Sequence, residues 1–211
     1  MAKKPLIGFS KTRLSSDIGE SNALFLYESF IEDFFSRLKK AWNGSICFFA
    51  TPQTEDTKGY FKNLFAKKDL QVEFYFQEEL PFFARLKWIF NQIQKRQKKV
   101  FIHLTGSDIP DFPFEFLKNV EPNEKTVYIG PDSDGGYYYV GASCQHGNIF
   151  EGAGKNPLDV LLTQCKKMSL NIQILPLWSD IDSLCDLKKS LKRSKLHIPS
   201  TYACYKRLGL D

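Results

Sequence analysis

Short apolar runs alternate with amphipathic stretches along almost the whole chain, and this alternation narrows the possible folds more than any other feature of the sequence. A long helix is expected over about Ser21 to Trp42. There Leu26, Phe30, Phe34, Leu38 and Trp42 recur every four residues, and Ile31 and Phe35 widen the stripe. Asn43-Gly44 follows as a stop, since both residues tolerate left-handed backbone. Ser45–Ala50, Gln71–Phe76, Val100–Leu104, Thr126–Gly130, Tyr137–Ala142 and Ile172–Leu175 read as strands. Gly59–Lys67, Pro81–Gln97, Phe112–Asn119, Leu158–Met168 and Ser183–Ser194 read as helices, with Pro5–Ser16 a loop and the tail after Lys188 a basic solvated face that frays. Strands separated by helices imply an α/β chain with a mostly parallel sheet covered on both faces. At 211 residues, one domain over 1–211 is expected.

Composition sets limits and little more. With 43% hydrophobic residues and 19 Phe, the chain can bury a large core without staples. A net charge of +5 admits an anionic ligand such as a nucleotide without requiring nucleic acid. No run of 18 apolar residues occurs and no apolar stretch follows Met-Ala-Lys-Lys, so neither a membrane span nor a signal peptide is expected. The five cysteines are scattered without a CxxC pair and read as reduced thiols, which fits a cytoplasmic protein.

Polar clusters at strand ends are where ligands bind open α/β sheets. One is Lys3-x-Pro5-x-x-Gly8-x-x-Lys11-Thr12-Arg13-Leu14, where Lys11 and Arg13 can grip a diphosphate or simply form an exposed basic loop. A second is Thr105-Gly106-Ser107-Asp108-Ile109-Pro110. Its Asp108 suits Mg²⁺, which takes one or two carboxylates plus substrate phosphates; the alternative is a helix cap, for which Asp111 competes. The third, Gly130-Pro131-Asp132-Ser133-Asp134-Gly135-Gly136, reads first as a tight turn. In the fourth, Asp180 and Asp182 point the same way if the segment is extended, with Asp182 or Ser183 as the competing cap. His103 reads as a core histidine, and no second His or Cys stands at zinc-ligand spacing.

Taken in order, KxPxxGxxKTRL, GSDIPDFP, GPDSDGGYYYVG and the late DIDSLCDL resemble the bacterial glycosyltransferase-like transferase 1 proteins of the radical-SAM/selenodomain-associated group. These are relatives of nucleotide-diphospho-sugar transferases and phospholactate guanylyltransferases. The resemblance spans Lys3 to Leu187 and implies a three-layer α/β/α sandwich of glycosyltransferase-A type, a nucleotide-binding first half and Mg²⁺ or Mn²⁺. It gives Gly8, Lys11, Thr12 and Arg13 to the phosphate-facing loop and makes Asp108, Lys11 and Arg13 the catalytic group. Asp108, Asp182 and Asp180 become the metal ligands, and Asp134, Gly135 and Gly136 the turn that shapes the acceptor side.

Two departures stand out: Glu78–Arg85 lacks the glycines of the corresponding family segment, and only Met1-Ala2 precede Lys3 where the family has an apolar strand. A truncated first strand, with an upstream natural start, is the resulting expectation. The function implied is transfer from a nucleotide-activated donor, most simply a nucleotide sugar, to a small-molecule acceptor that the sequence does not define. Nucleotidyl transfer onto a phosphorylated small molecule and a non-catalytic nucleotide-binding module are the alternatives.

Overall fold

In the computed structural model, which describes residues 1–210, the chain opens on a two-residue strand, β1 (Ala2–Lys3). It pairs in parallel with β2 (Cys47–Thr51), Ala2 opposite Ala50 and Lys3 opposite Thr51. On its other side β2 pairs in parallel with β3 (Glu73–Phe76). Two helices, α1 (Thr12–Ile18) and α2 (Glu20–Ala41), lie between β1 and β2, and α3 (Glu55–Lys67) lies between β2 and β3. These are the crossovers that parallel strands require. The long helix expected from the four-residue periodicity is thus α2, its ends shifted by one residue.

The chain folds as two compact units, each built from separated segments. The first comprises residues 1–76, 106–115 and 180 onward, and it ends in α6 (Leu184–Ser194) and α7 (Pro199–Arg207). Its core is largely phenylalanine. Phe35 of α2 meets Phe48 of β2 and Phe65 of α3, while Phe34 packs on Phe112 and Phe114. This aromatic share is where much of the chain's phenylalanine goes, and edge-to-face pairs add to the burial.

The second unit spans residues 77–105 and 116–179. It holds α4 (Phe82–Arg96), β4 (Phe101–Thr105), β5 (Thr126–Pro131), β6 (Tyr137–Ser143), α5 (Pro157–Lys167) and β7 (Asn171–Ile174). Sheet order is β4-β6-β5-β7, and β6 runs against both its neighbours. The reason is local: β5 and β6 are joined by a turn far too short for a crossover, so they form a hairpin. Leu86, Ile89 and Phe90 of α4, with Val127, Ile129, Val140, Ile149 and Phe150, fill its core.

The structure corrects several sequence-based boundaries. The region read as a loop through Ser16 becomes helical at Thr12, the element after Phe112 is a 3-10 turn over Phe114–Asn119, and a second 3-10 segment covers Cys144–Phe150. The tail read as fraying contains α7, with Thr201, Cys204 and Tyr205 buried. Among the described residues no helix is long and apolar enough to cross a membrane.

Candidate functional site

Three segments remote in sequence meet in the first unit. The loop after β1 supplies Lys11 and Arg13, the segment following β4 supplies Asp108, and the stretch before α6 supplies Asp180 and Asp182. One carboxylate oxygen from each of the three aspartates lies within 4.8 Å of the others.

Local chemistry fixes each arm. Gly106 leaves room for Asp108 to fold back, since a Cβ there would sit 2.7 Å from Asp108 Oδ1. Asp108 is no helix cap, and its competitor Asp111 is buried against Arg193, whose Nε donates to Asp111 Oδ2 at 2.7 Å. In the late segment Ile181 is fully buried and anchors the stretch, while the aspartates on either side of it are only half-buried. Ser183 heads α6 in a capping box: it accepts from the Asp186 N–H at 3.2 Å, while Asp186 accepts from the Ser183 N–H at 3.1 Å. That leaves Asp182 outside the cap. Asp17 of α1 accepts from the Leu184 N–H at 2.8 Å and ties the two helices together.

Lys11 sits at the centre. Its Nζ donates to Asp108 Oδ2 at 2.8 Å and to Asp182 Oδ1 at 3.0 Å. Its side chain is only 5% exposed, against 33% and 31% for the two carboxylates. The residue precedes α1 in left-handed backbone, φ 53° and ψ 45°, with no side-chain cap. For a residue other than glycine this conformation costs on the order of 1 kcal/mol or more, so the surrounding contacts must hold it. Arg13 approaches from outside: it is 72% exposed, and its guanidinium donates to Asp182 Oδ2 at 3.0 Å.

The charges are mutually dependent. Burial by itself depresses the Lys11 pKa, but the pull of Asp108, then of Asp182 and Asp180, outweighs it and holds the ammonium above its usual value. Burial likewise pushes Asp108 up, and the Lys11 charge and hydrogen bond bring it below the ordinary carboxylate value. Tyr27, whose hydroxyl donates to the Lys3 carbonyl at 3.1 Å, is raised first by burial and then by the nearby Asp108 charge. Both Tyr27 and Asp17 are supporting residues that the sequence did not single out; neither stands in a recognisable motif.

Three hard carboxylate oxygens in reach of one point are a donor set suited to Mg²⁺ or Mn²⁺. Exposed acidic groups alone would not need to converge; the buried ammonium among them reflects how costly their repulsion would otherwise be.

The remaining residues carried over from the resemblance fall as follows. Gly8 is exposed with φ +70° in the turn leading to Lys11, where the N–H groups of Phe9 and Ser10 both donate to the Leu6 carbonyl at 3.2 Å. Thr12 is exposed and opens α1, its carbonyl accepting from Ser15 Oγ at 2.7 Å and Ser16 Oγ at 3.1 Å. Asp134, Gly135 and Gly136 belong to the second unit, in the β5–β6 turn. That turn is closed by Asp132 N–H to the Gly136 carbonyl at 3.0 Å, with Gly135 at φ +81°. Gly135 is required there for its backbone and because a Cβ would meet Asn156 Nδ2 at 3.0 Å.

No curated protein matches the chain significantly. Among solved structures it is similar to a protein of Desulfovibrio desulfuricans G20 provisionally named a nucleotide-diphospho-sugar transferase, with 27% identity and a TM-score of 0.81, covering 97% of this chain and 91% of that one. It is also similar in fold to a nucleotidyl transferase of Methanothermobacter thermautotroptrophicus, with 13% identity and a TM-score of 0.58, covering 92% and 97% of the two chains. Residues 34–154 match the profile of a family described as an uncharacterised protein conserved in bacteria, DUF2064. By that match, over more than half its length, the chain belongs to the DUF2064 family.

Proposed function

We propose that this protein is a metal-dependent transferase that uses a nucleotide-activated donor, glycosyltransferase-like in its chemistry, with a small-molecule acceptor. The observation that carries this reading is the convergence of Asp108, Asp180 and Asp182 around Lys11, with Arg13 at the rim. The similarity to a protein named as a nucleotide-diphospho-sugar transferase supports the donor class.

The three aspartates would hold Mg²⁺ or Mn²⁺. When bound, the ion supplies Lewis-acid stabilisation of the diphosphate as it departs. Asp108 and Asp182 orient the donor by fixing where its phosphates meet the cluster. Arg13 reaches outward and can exchange its carboxylate partner for a phosphate, which its planar fork fits. Lys11 contributes a compact positive charge where negative charge develops in the transition state. Gly8, Thr12, Asp134, Gly135 and Gly136 enter this reading through the family resemblance alone.

Nucleotidyl transfer onto a phosphorylated acceptor is the second reading, favoured by the pairing of two cations with the carboxylates, since a triphosphate needs more positive charge than a diphosphate. A thermal-shift screen of nucleoside triphosphates and nucleotide sugars, with Mg²⁺ or Mn²⁺, tests both, because a ligand that binds only the native state raises its melting temperature. Metal-dependent stabilisation by nucleotide sugars without pyrophosphate release supports the first reading, and pyrophosphate release from a triphosphate the second. No stabilisation by any nucleotide at millimolar concentration would falsify both.

A further inference from the structure

We propose that the Lys11 ammonium is the resident counter-ion of the Asp108–Asp180–Asp182 cluster, and that a divalent cation can enter only by driving it out. This rests on the metal reading above and adds a regulatory step to the same site.

The geometry makes the two occupants compete. Nζ already holds Asp108 Oδ2 and Asp182 Oδ1, and Arg13 holds the other oxygen of Asp182. A cation bound at about 2.1 Å to the oxygens that Lys11 holds would lie no more than about 5 Å from Nζ. The two positive charges would then repel in a largely dehydrated place. Arg13 is mostly exposed and can turn into solvent, but Lys11 is buried and cannot release the carboxylates without moving as a whole.

A means of moving is built in. Lys11 lies at the junction of the loop and α1 in a left-handed conformation that no side-chain cap supports. Its ion pairs are what reward that conformation, so a cation that takes over the carboxylates removes the reason for it. The displaced ammonium is then available to a phosphate on the donor. Metal and donor are thereby coupled: the ion frees the lysine, and the donor's phosphates give the lysine a new partner. Until the ion arrives the lysine keeps the aspartates neutralised.

The test compares full-length wild type with Lys11→Met, measuring Mn²⁺ binding from the free-ion paramagnetic resonance signal without nucleotide. At least tenfold tighter Mn²⁺ binding by Lys11→Met is expected, with a larger Mn²⁺-induced rise in melting temperature than in wild type. Because Lys11→Met could fail to fold in the absence of metal, a wild-type measurement stands beside it: acetic anhydride labelling read by mass spectrometry. Lys11 should be protected in EDTA and several-fold more labelled with saturating Mn²⁺. Equal Mn²⁺ affinity in both proteins overturns the exchange and leaves the metal reading intact. So does a Lys11 that stays protected in wild type with Mn²⁺ bound. Absence of Mn²⁺ binding to either protein, with and without nucleoside triphosphate, overturns the metal reading and the exchange together.

Discussion

A methyl group at Gly106 would lie 2.7 Å from Oδ1 of Asp108, and only the carboxylate can give way. Gly106→Ala is therefore expected to turn Asp108 out of the cluster while the fold stays intact. Far-UV circular dichroism should be unchanged, and stabilisation by nucleotide plus Mg²⁺ should fall at least tenfold in apparent affinity. Full retention of that affinity would remove Asp108 from the site. The cysteines offer a second residue-level check. Cys144, Cys165 and Cys204 are buried, and burial pushes the Cys165 thiol up to about 11, whereas Cys185 is exposed. Iodoacetamide at pH 8 should label Cys185 first and leave Cys165 untouched until the protein is denatured, as peptide mapping will report. Much at this scale was legible in advance. Asp108 and Asp182 each had a rival role as a helix cap; Ser183 takes the cap of α6 in place of Asp182, and the Asp108 carboxylate is held by Lys11 well before the 3-10 turn that opens at Phe114. That Lys11 lies among them, and not at an exposed edge, was not legible, because it depends on a backbone conformation that lysine rarely adopts.

Helix α7 shows why some elements escape a reading of local pattern. Its N-cap, Ile198, has no polar side chain. The cap comes instead from α2: buried Asp33 accepts from the Ser200 N–H at 3.0 Å and the Thr201 N–H at 2.7 Å. A signal 167 residues away in sequence is invisible to any window along the chain. Asp33→Ala leaves two N–H groups without acceptors and should cost about 2–4 kcal/mol in denaturant unfolding, with Asp33→Asn recovering part of it. Helix α1 was missed for a similar reason, since lysine is not a capping residue. In the second unit, β4 carries His103, whose Nδ1 lies 2.7 Å from the Tyr139 hydroxyl. Burial lowers its pKa from 6.5 to about 4. Between those values the unfolded chain binds the proton and the folded chain does not, so the stability His103 contributes is complete above pH 6.5 and drains away as pH falls toward 4. For a half-buried group the loss should be about 1–3 kcal/mol. Unfolding of His103→Gln should be correspondingly flatter between pH 7 and pH 4, and an unchanged acid slope would reject the assignment.

At the scale of the molecule, the alternation of strands and helices was enough to read an α/β fold, and the similarity to the Desulfovibrio structure at a TM-score of 0.81 agrees with it. The direction of β6 was not read, although the shortness of the Asp132–Gly136 turn already excluded a parallel pairing of β5 with β6. Nor was the interleaving of the two units, because the first is completed by residues 106–115 and by the segment from Asp180 onward, which return from far along the chain. That closure can be tested. Residues from Asp180 onward complete the first unit, and α7 packs against α2, so a chain ending at Ser179 should lose its cooperative unfolding transition and much of its soluble yield. A truncated protein with an unaltered transition would show that the last segment is dispensable.

The meeting of Lys11, Asp108 and Asp182 also sets an order in time. Ribosomes make Lys11 long before Asp182, so no nascent chain that stops short of Asp182 can carry the assembled cluster. A ligand that recognises the cluster therefore cannot rescue an incomplete chain or bind one prematurely. It can add its binding energy only to molecules in which the Lys11 loop and the Asp180–Asp182 segment have already found each other, which makes ligand capture a test that the first unit has closed.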